Sequence, residues 1–153
     1  MQTWFYGNEP QWFRRDRMYK VWVTPRALCG GFLAHQVFQS KPAEDPGSLS
    51  SLKLSELAIG VLERMLERGA ELEVRYEGIA PDSPMLLEKH PLNFQYDRLS
   101  LRGWSIREKH SKWLMLHVVK LTLHLGNGRK RRFLCPFPGQ AEHVAEMMER
   151  FLP

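Results

Sequence analysis

The strongest constraint on this fold is a run of strict alternation that ends in a tight turn. Leu121, Leu123 and Leu125 alternate with Lys120, Thr122 and His124, and Gly126-Asn127-Gly128 follows at once. Period two describes a strand with one dry face and one wet face. Asn and Gly tolerate the positive φ of short hairpin loops, so the chain must turn back on itself here. R-K-R-R-F-L-C-P is then the return strand. A two-residue loop would set Leu121 opposite Leu134; a three-residue loop with Gly128 left-handed would set it opposite Phe133. The second register is preferred, because it pairs a leucine with an aromatic ring.

The flanking segments extend this sheet. Residues 93–106 read as strand, with Leu99 and Leu101 in one phase and Trp104 and Ile106 in the other. The flip predicts a bulge or bend at Gly103. Arg107 to Lys112 reads as a charged turn. Trp113 to Val119 is apolar on both faces, which predicts a strand between two layers or at a subunit contact, and a homodimer through 113–119 is one reading. Gln140 to Leu152 is a helix with Ala141, Val144, Ala145, Met148 and Leu152 on its apolar stripe.

Further back, Met18 to Thr24 and Ala27 to Gln39 read as strands joined by a turn at Thr24-Pro25-Arg26. Gly30-Gly31 predicts a bulge or a close backbone approach. The aromatic and basic segment 2–17 reads as an N-terminal arm or short strand laid on the body, its rings too large to be left in water. Residues 40–51, rich in Pro, Ser and acids, form a flexible loop. Leu54 to Arg68 carries a helical apolar stripe, stopped by Gly69 at C′. Glu71 to Tyr76 alternates, which predicts a short strand or an extension of that helix. Ser83-Pro84 reads as an N-cap with Pro at N1 of a short helix ended by Pro91.

At 153 residues, with 43% hydrophobic and 25% charged content, the expectation is one α+β domain over 1–153: a bent antiparallel sheet or partly open barrel, packed by two amphipathic helices. No basic-then-apolar leader and no long apolar run occurs, so no transmembrane segment is predicted and the expected location is the cytoplasm. Cys29 and Cys135 lack ligand or scaffold spacing and read as buried thiols.

No catalytic motif is present, no cofactor is implied, and the six histidines show no metal-ligand spacing. Charge is the one functional signal. Residues 98–132 hold Arg98, Arg102, Arg107, Lys109, Lys112, Lys120, Arg129, Lys130, Arg131 and Arg132 against the single acid Glu108. Arg98, Arg102, Arg129, Lys130, Arg131 and Arg132 are the candidate anion-binding residues, for anionic lipid, nucleic acid or an acidic protein surface. The alternative is a solvated basic face.

N-F-Q-Y-D-R-L-S-L-R at 93–102, L-T-L-H-L-G-N-G-R-K-R-R-F-L at 121–134, the closing helix, and M-Y-K-V-W-V-T-P-R-A-L at 18–28 resemble bacterial pleckstrin-homology-like domains. The resemblance implies a meander with a G-N-G-R-type hairpin and a C-terminal helix plugging one end of a bent, barrel-like sheet. It implies no catalytic residues and a binding or scaffold role. The helix at 54–68 departs from that pattern. The functions in view are a non-enzymatic binding or scaffold module with a protein partner or itself, a basic module docking on anionic lipid or nucleic acid through 98–132, and an enzyme whose site is assembled from distant residues.

Overall fold

The computed structural model describes residues 3–12, 14–36, 60, 63–64, 66–111, 116–135 and 140–152. The expected loop at 40–51, most of the helix start at 54–62 and residues 113–115 of the doubly apolar segment lie outside the described residues.

Seven strands form one antiparallel sheet: β1 (Trp4–Glu9), β2 (Asp16–Val23), β3 (Ala27–Gln36), β4 (Phe94–Asp97), β5 (Leu101–Ser111), β6 (Leu116–Leu125) and β7 (Lys130–Cys135), in the order β4-β3-β2-β1-β7-β6-β5. Residues 60, 63–64 and 66–73 are helical (α1) and run into a 3-10 turn at Val74–Tyr76. Two further helices are α2 (Pro84–Lys89) and α3 (Gln140–Phe151).

The sheet is bent rather than flat. Phe94 on β4 and Phe133 on β7 are four strand spacings apart, about 19 Å in a flat sheet. Their rings nevertheless stack at 5.8 Å between centroids. The edge strands β4 and β5 are joined by one 3-10 turn, Arg98–Ser100, so the two edges are drawn toward each other. The concave face holds Phe5, Tyr19, Val21, Leu28, Phe94, Leu121, Leu123 and Phe133, and α3 adds Val144, Met147, Met148 and Phe151. Burying four such side chains contributes about 1.5–3 kcal/mol each. The sum is comparable to the whole stability of an ordinary domain, about 5–15 kcal/mol. The stripe of α3 is therefore wider than the sequence reading had it, taking in Met147 and Phe151.

On the other face of β1–β3 a second cluster gathers Tyr6, Met18, Ala27, Cys29, Leu33, Tyr76 and Leu86. Those three strands are thus dry on both sides. Asn93 ties this layer down. Its Oδ1 accepts from Phe32 N at 2.7 Å and lies 3.0 Å from the Tyr76 hydroxyl, and its Nδ2 donates to Leu86 O at 2.7 Å.

Several expectations hold. Leu121 pairs with Phe133, and Gly128 has φ 80° in a three-residue loop. The β5–β6 register slips between Leu101 and Gly103. Both cysteines are free and buried, one in each cluster.

Others are corrected. Of the arm and the short strand, residues 4–9 are the strand, and it lies within the sheet between β2 and β7 rather than on its surface; Gly7 leaves room there for Phe133, since a Cβ would lie 3.0 Å from the ring, while Trp12 of the same segment is exposed rather than covered. Gly69 does not stop the first helix. It is buried within α1, where a Cβ would come within 3.2 Å of Met18 and 3.3 Å of Tyr6, so it serves close helix–sheet contact. Residues 71–76 are helix and 3-10 turn, not strand. Leu72 and Tyr76 are one helical turn apart and pack on the sheet, while Val74 between them is 60% exposed. Gly30 and Gly31 sit in regular register; the slip in β3 falls between Phe32 and Ala34. The other expected role, close approach, is the one they serve: Cβ atoms would lie 1.9 Å from Phe94 at Gly30 and 2.9 Å from Trp22 at Gly31. Arg107 to Ser111 continues β5 and is not a turn. Ser83 does precede α2, but its Oγ makes no capping bond.

Candidate anion-docking surface

The alternation that builds β5, β6 and β7 also sorts their charges. Leu121, Leu123, Phe133 and Cys135 point into the concave core. Their strand neighbours therefore point away from it. Across the outer face Arg107 stands opposite Lys120, Thr122 opposite Arg132, and His124 opposite Lys130. Like charges directly opposite across a strand pair are unfavourable, by a few tenths to about 1 kcal/mol. Arg107, Lys130 and Arg132 are exposed, and none of these cations has an ion-pair partner among the described residues.

At one corner of this face three turns meet. Arg98 N donates to Arg26 O at 3.2 Å, joining the β4–β5 turn to the β2–β3 turn. Gly126 N donates to Ser100 O at 2.7 Å, joining it to the β6–β7 hairpin. The hairpin is itself fixed by Asn127, whose Oδ1 accepts from Arg129 N at 3.0 Å. Arg26, Arg98, Arg102, Arg129 and Lys130 are all exposed around this junction. Asp97 is the acid nearest in the chain. Leu99, at the tip of the 3-10 turn, is 97% exposed.

The six candidate residues thus divide. Arg98, Arg102, Arg129, Lys130 and Arg132 are exposed on the corner and the outer face. Arg131 points the other way, into the concave side. Its Nε and Nη2 donate to Glu9 Oε1 and Oε2 at 2.8 and 3.0 Å, its Nη1 lies 3.1 Å from the Tyr96 hydroxyl, and its guanidinium stacks 3.8 Å from the Phe94 ring centre. Each of its three guanidinium nitrogens has a partner, so it braces the fold and does not belong to an open anion site. Arg26 and Leu99 were not legible as site residues: nothing local marks that the β2–β3 turn reaches the β4–β5 turn, and Leu99 reads as a core leucine by phase.

Glu73 accepts from the Tyr6 hydroxyl and pairs with Lys20, whose ammonium lies 4.1 Å from the Trp4 ring centre. Burial, with Glu73 beside it, pushes the Tyr6 hydroxyl well above the ordinary tyrosine range. Among the described residues no group of three or more His, Cys, Asp or Glu side chains is placed to hold a metal ion. No helix among them is long and apolar enough to cross a membrane. Compared with family models, curated proteins and solved structures, the chain finds no match.

Proposed function

We propose that this protein is a non-catalytic binding module of the pleckstrin-homology-like kind, working in the cytoplasm, and that its basic outer sheet face takes an anionic partner. The observation that carries the partner is the cross-strand pairing of Arg107 with Lys120, next to Arg132 and Lys130, on a face with no acid among these pairs. Selection for stability alone would alternate signs there. A negatively charged partner turns that repulsion into attraction and draws long-range steering from the same field.

The family reading is supported by a curled, open antiparallel sheet, the three-residue G-N-G hairpin and a helix that comes last and lines the concave core. The non-catalytic reading is supported by Glu9 and Glu73 being engaged in ion pairs and both thiols being buried.

The test is binding to an anionic probe across a salt series, with phosphatidylserine vesicles and a labelled oligonucleotide as the two probes. Binding that weakens steeply as salt rises is expected, since exposed charges are screened within about 8–10 Å at physiological ionic strength. No binding to either probe at low salt would overturn the proposal.

A further inference from the structure

Asn93 fastens the outer layer to the sheet, and one histidine sets its position. His90 O accepts from Asn93 N at 3.0 Å, and Leu92 N donates to His90 Nδ1 at 3.1 Å. These two bonds shape the turn that carries Asn93 from the end of α2 to the start of β4. The imidazole lies flat on the Phe32 ring, 4.4 Å between centroids, and His35 meets the same ring at 4.9 Å, edge to face. Phe32 N is itself one of the groups that Asn93 holds. The turn, the histidine and the fastening of the layer therefore form one unit.

The bond from Leu92 sets a condition on that unit. Nδ1 accepts only while it carries no proton, so the neutral ring keeps its hydrogen on Nε2. A second proton must go to Nδ1, where it turns the acceptor into a donor facing the Leu92 N–H. The surroundings resist that charge. Burial, then Arg75 of the 3-10 turn and His35 of β3, hold His90 below the ordinary 6.5. Its charged neighbours on α2, Glu88 and Lys89, are exposed, and Leu92 and Asn93 on the other side are uncharged. The stability that neutral His90 contributes is fully present above the ordinary 6.5 and is lost as pH falls through the lower folded value.

We propose that His90 is a pH-sensitive latch: a proton on Nδ1 breaks the bond from Leu92 N, loosens the turn that positions Asn93, and lets the 3-10 turn and α2 lift from β3 while the rest of the sheet stays folded. Arg75 assists the opening. It repels the new charge, and it adjoins Tyr76, whose hydroxyl donates to Phe32 O at 2.7 Å and lies 3.0 Å from Asn93 Oδ1. The opening uncovers the apolar outer side of β3, with Cys29 and Leu33, as Tyr76 and Leu86 move away. Local opening of this kind is drawn from the least stable layer of a fold, and does not require global unfolding. The latch is independent of the anionic-partner reading, since none of its residues belongs to the basic face.

The two free cysteines report the result, because Cys29 lies in the outer cluster and Cys135 in the concave core, both buried. The full chain is labelled with a dipyridyl disulfide, a reagent that works in acid, in steps from about pH 7.5 to about pH 5, the range in which an imidazole titrates. Each site is read by mass spectrometry after digestion, relative to an unstructured cysteine peptide at the same pH. Labelling of Cys29 should rise severalfold while Cys135 stays protected. His90→Asn keeps an acceptor for Leu92 N and has no titrating ring, so Cys29 should remain protected in that variant at about pH 5. The Leu92 amide resonance of the unaltered chain gives a reading that needs no variant, and it should shift with the same midpoint as the labelling. A rise that persists in His90→Asn assigns the opening to another group, Glu73 among them, and overturns the latch. Equal rises at both cysteines mean global unfolding and overturn it too, as does a Cys29 that stays protected throughout or a Leu92 midpoint that differs from that of the labelling.

Discussion

Arg131 on β7 closes a two-pronged ion pair on Glu9 of β1, with Nε–Oε1 at 2.8 Å and Nη2–Oε2 at 3.0 Å. It does so across the seam where β1 and β7 share one backbone pair, Asn8 with Leu134. Glu9 and Arg131 side chains are 15% and 13% exposed. A pair this far out of water resists losing one member more than it adds net stability. Arg131→Ala should cost about 3–5 kcal/mol in urea unfolding. The double change Glu9→Gln with Arg131→Met should cost clearly less than the single changes added together. Additivity within error would mean that the pair does not couple the two strands.

Gly30→Ala should be among the most damaging small substitutions in the chain. The new methyl would lie 1.9 Å from the Phe94 ring, which is itself wedged between Tyr19 and Phe133. A loss of about 3 kcal/mol is expected. Adding Phe94→Leu should recover part of it. Gly103→Ala is the control, with nothing within 4 Å, and should stay within about 0.5 kcal/mol. Differential scanning calorimetry of the three variants decides the matter.

Replacing Arg107 by Glu should separate stability from function. It converts a repulsive cross-strand pair with Lys120 into an attractive one. A gain of a few tenths to about 1 kcal/mol in unfolding is expected. Binding to the anionic probe should fall at the same time. A variant that gains stability and keeps its binding would remove the outer face from the proposed function.

Asn93→Ala should cost about 2–3 kcal/mol, because it strands Phe32 N and Leu86 O at a partly buried site. Tyr76→Phe should cost about 1 kcal/mol, since the hydroxyl has the Phe32 carbonyl at 2.7 Å as well. Chemical denaturation of both variants provides the comparison. Equal costs would mean that the outer layer is held by apolar contact alone.

Stability should fall at alkaline pH. Burial holds the Cys29 thiol, with Asp82 and Asp97 adding to the effect, up to about 12 from an ordinary 9.0, and burial alone does the same for Cys135. Burial likewise raises Tyr6, Tyr19 and Tyr76 above 10.0. Above pH 9 the unfolded chain releases thiol protons that the folded chain keeps, so unfolding gains and stability drops with each further unit. The contribution is fully present below the unfolded values and is lost as pH rises toward the folded ones. Urea midpoints should therefore be level through neutral pH and decline from about pH 9. A flat profile to pH 11 would contradict the burial of these groups.

Local chemistry was enough for the elements that local chemistry decides. Gly126-Asn127-Gly128 marked the hairpin, and the preference for setting Leu121 against an aromatic ring chose the three-residue loop in which Gly128 is left-handed. The phase flip at Gly103 and the turn at Thr24-Pro25-Arg26 were likewise readable, because a bulge and a turn are made by adjacent residues. Where a residue's role depends on a distant partner, the sequence was silent. Trp4–Glu9 is a middle strand through its pairing with β2 and with β7, more than 120 residues away, and Gly7 accepts the Phe133 ring there. Arg131 belongs to Glu9, 122 residues away, though its neighbours Lys130 and Arg132 face out. Leu72, Val74 and Tyr76 alternate as a strand would, and only packing on the sheet below selected the helical face. Basic content in 98–132 came from the sequence. Its division into a brace, an outer face and a corner crowned by Leu99 came from the bending of the sheet, which alone sets which distant turns touch.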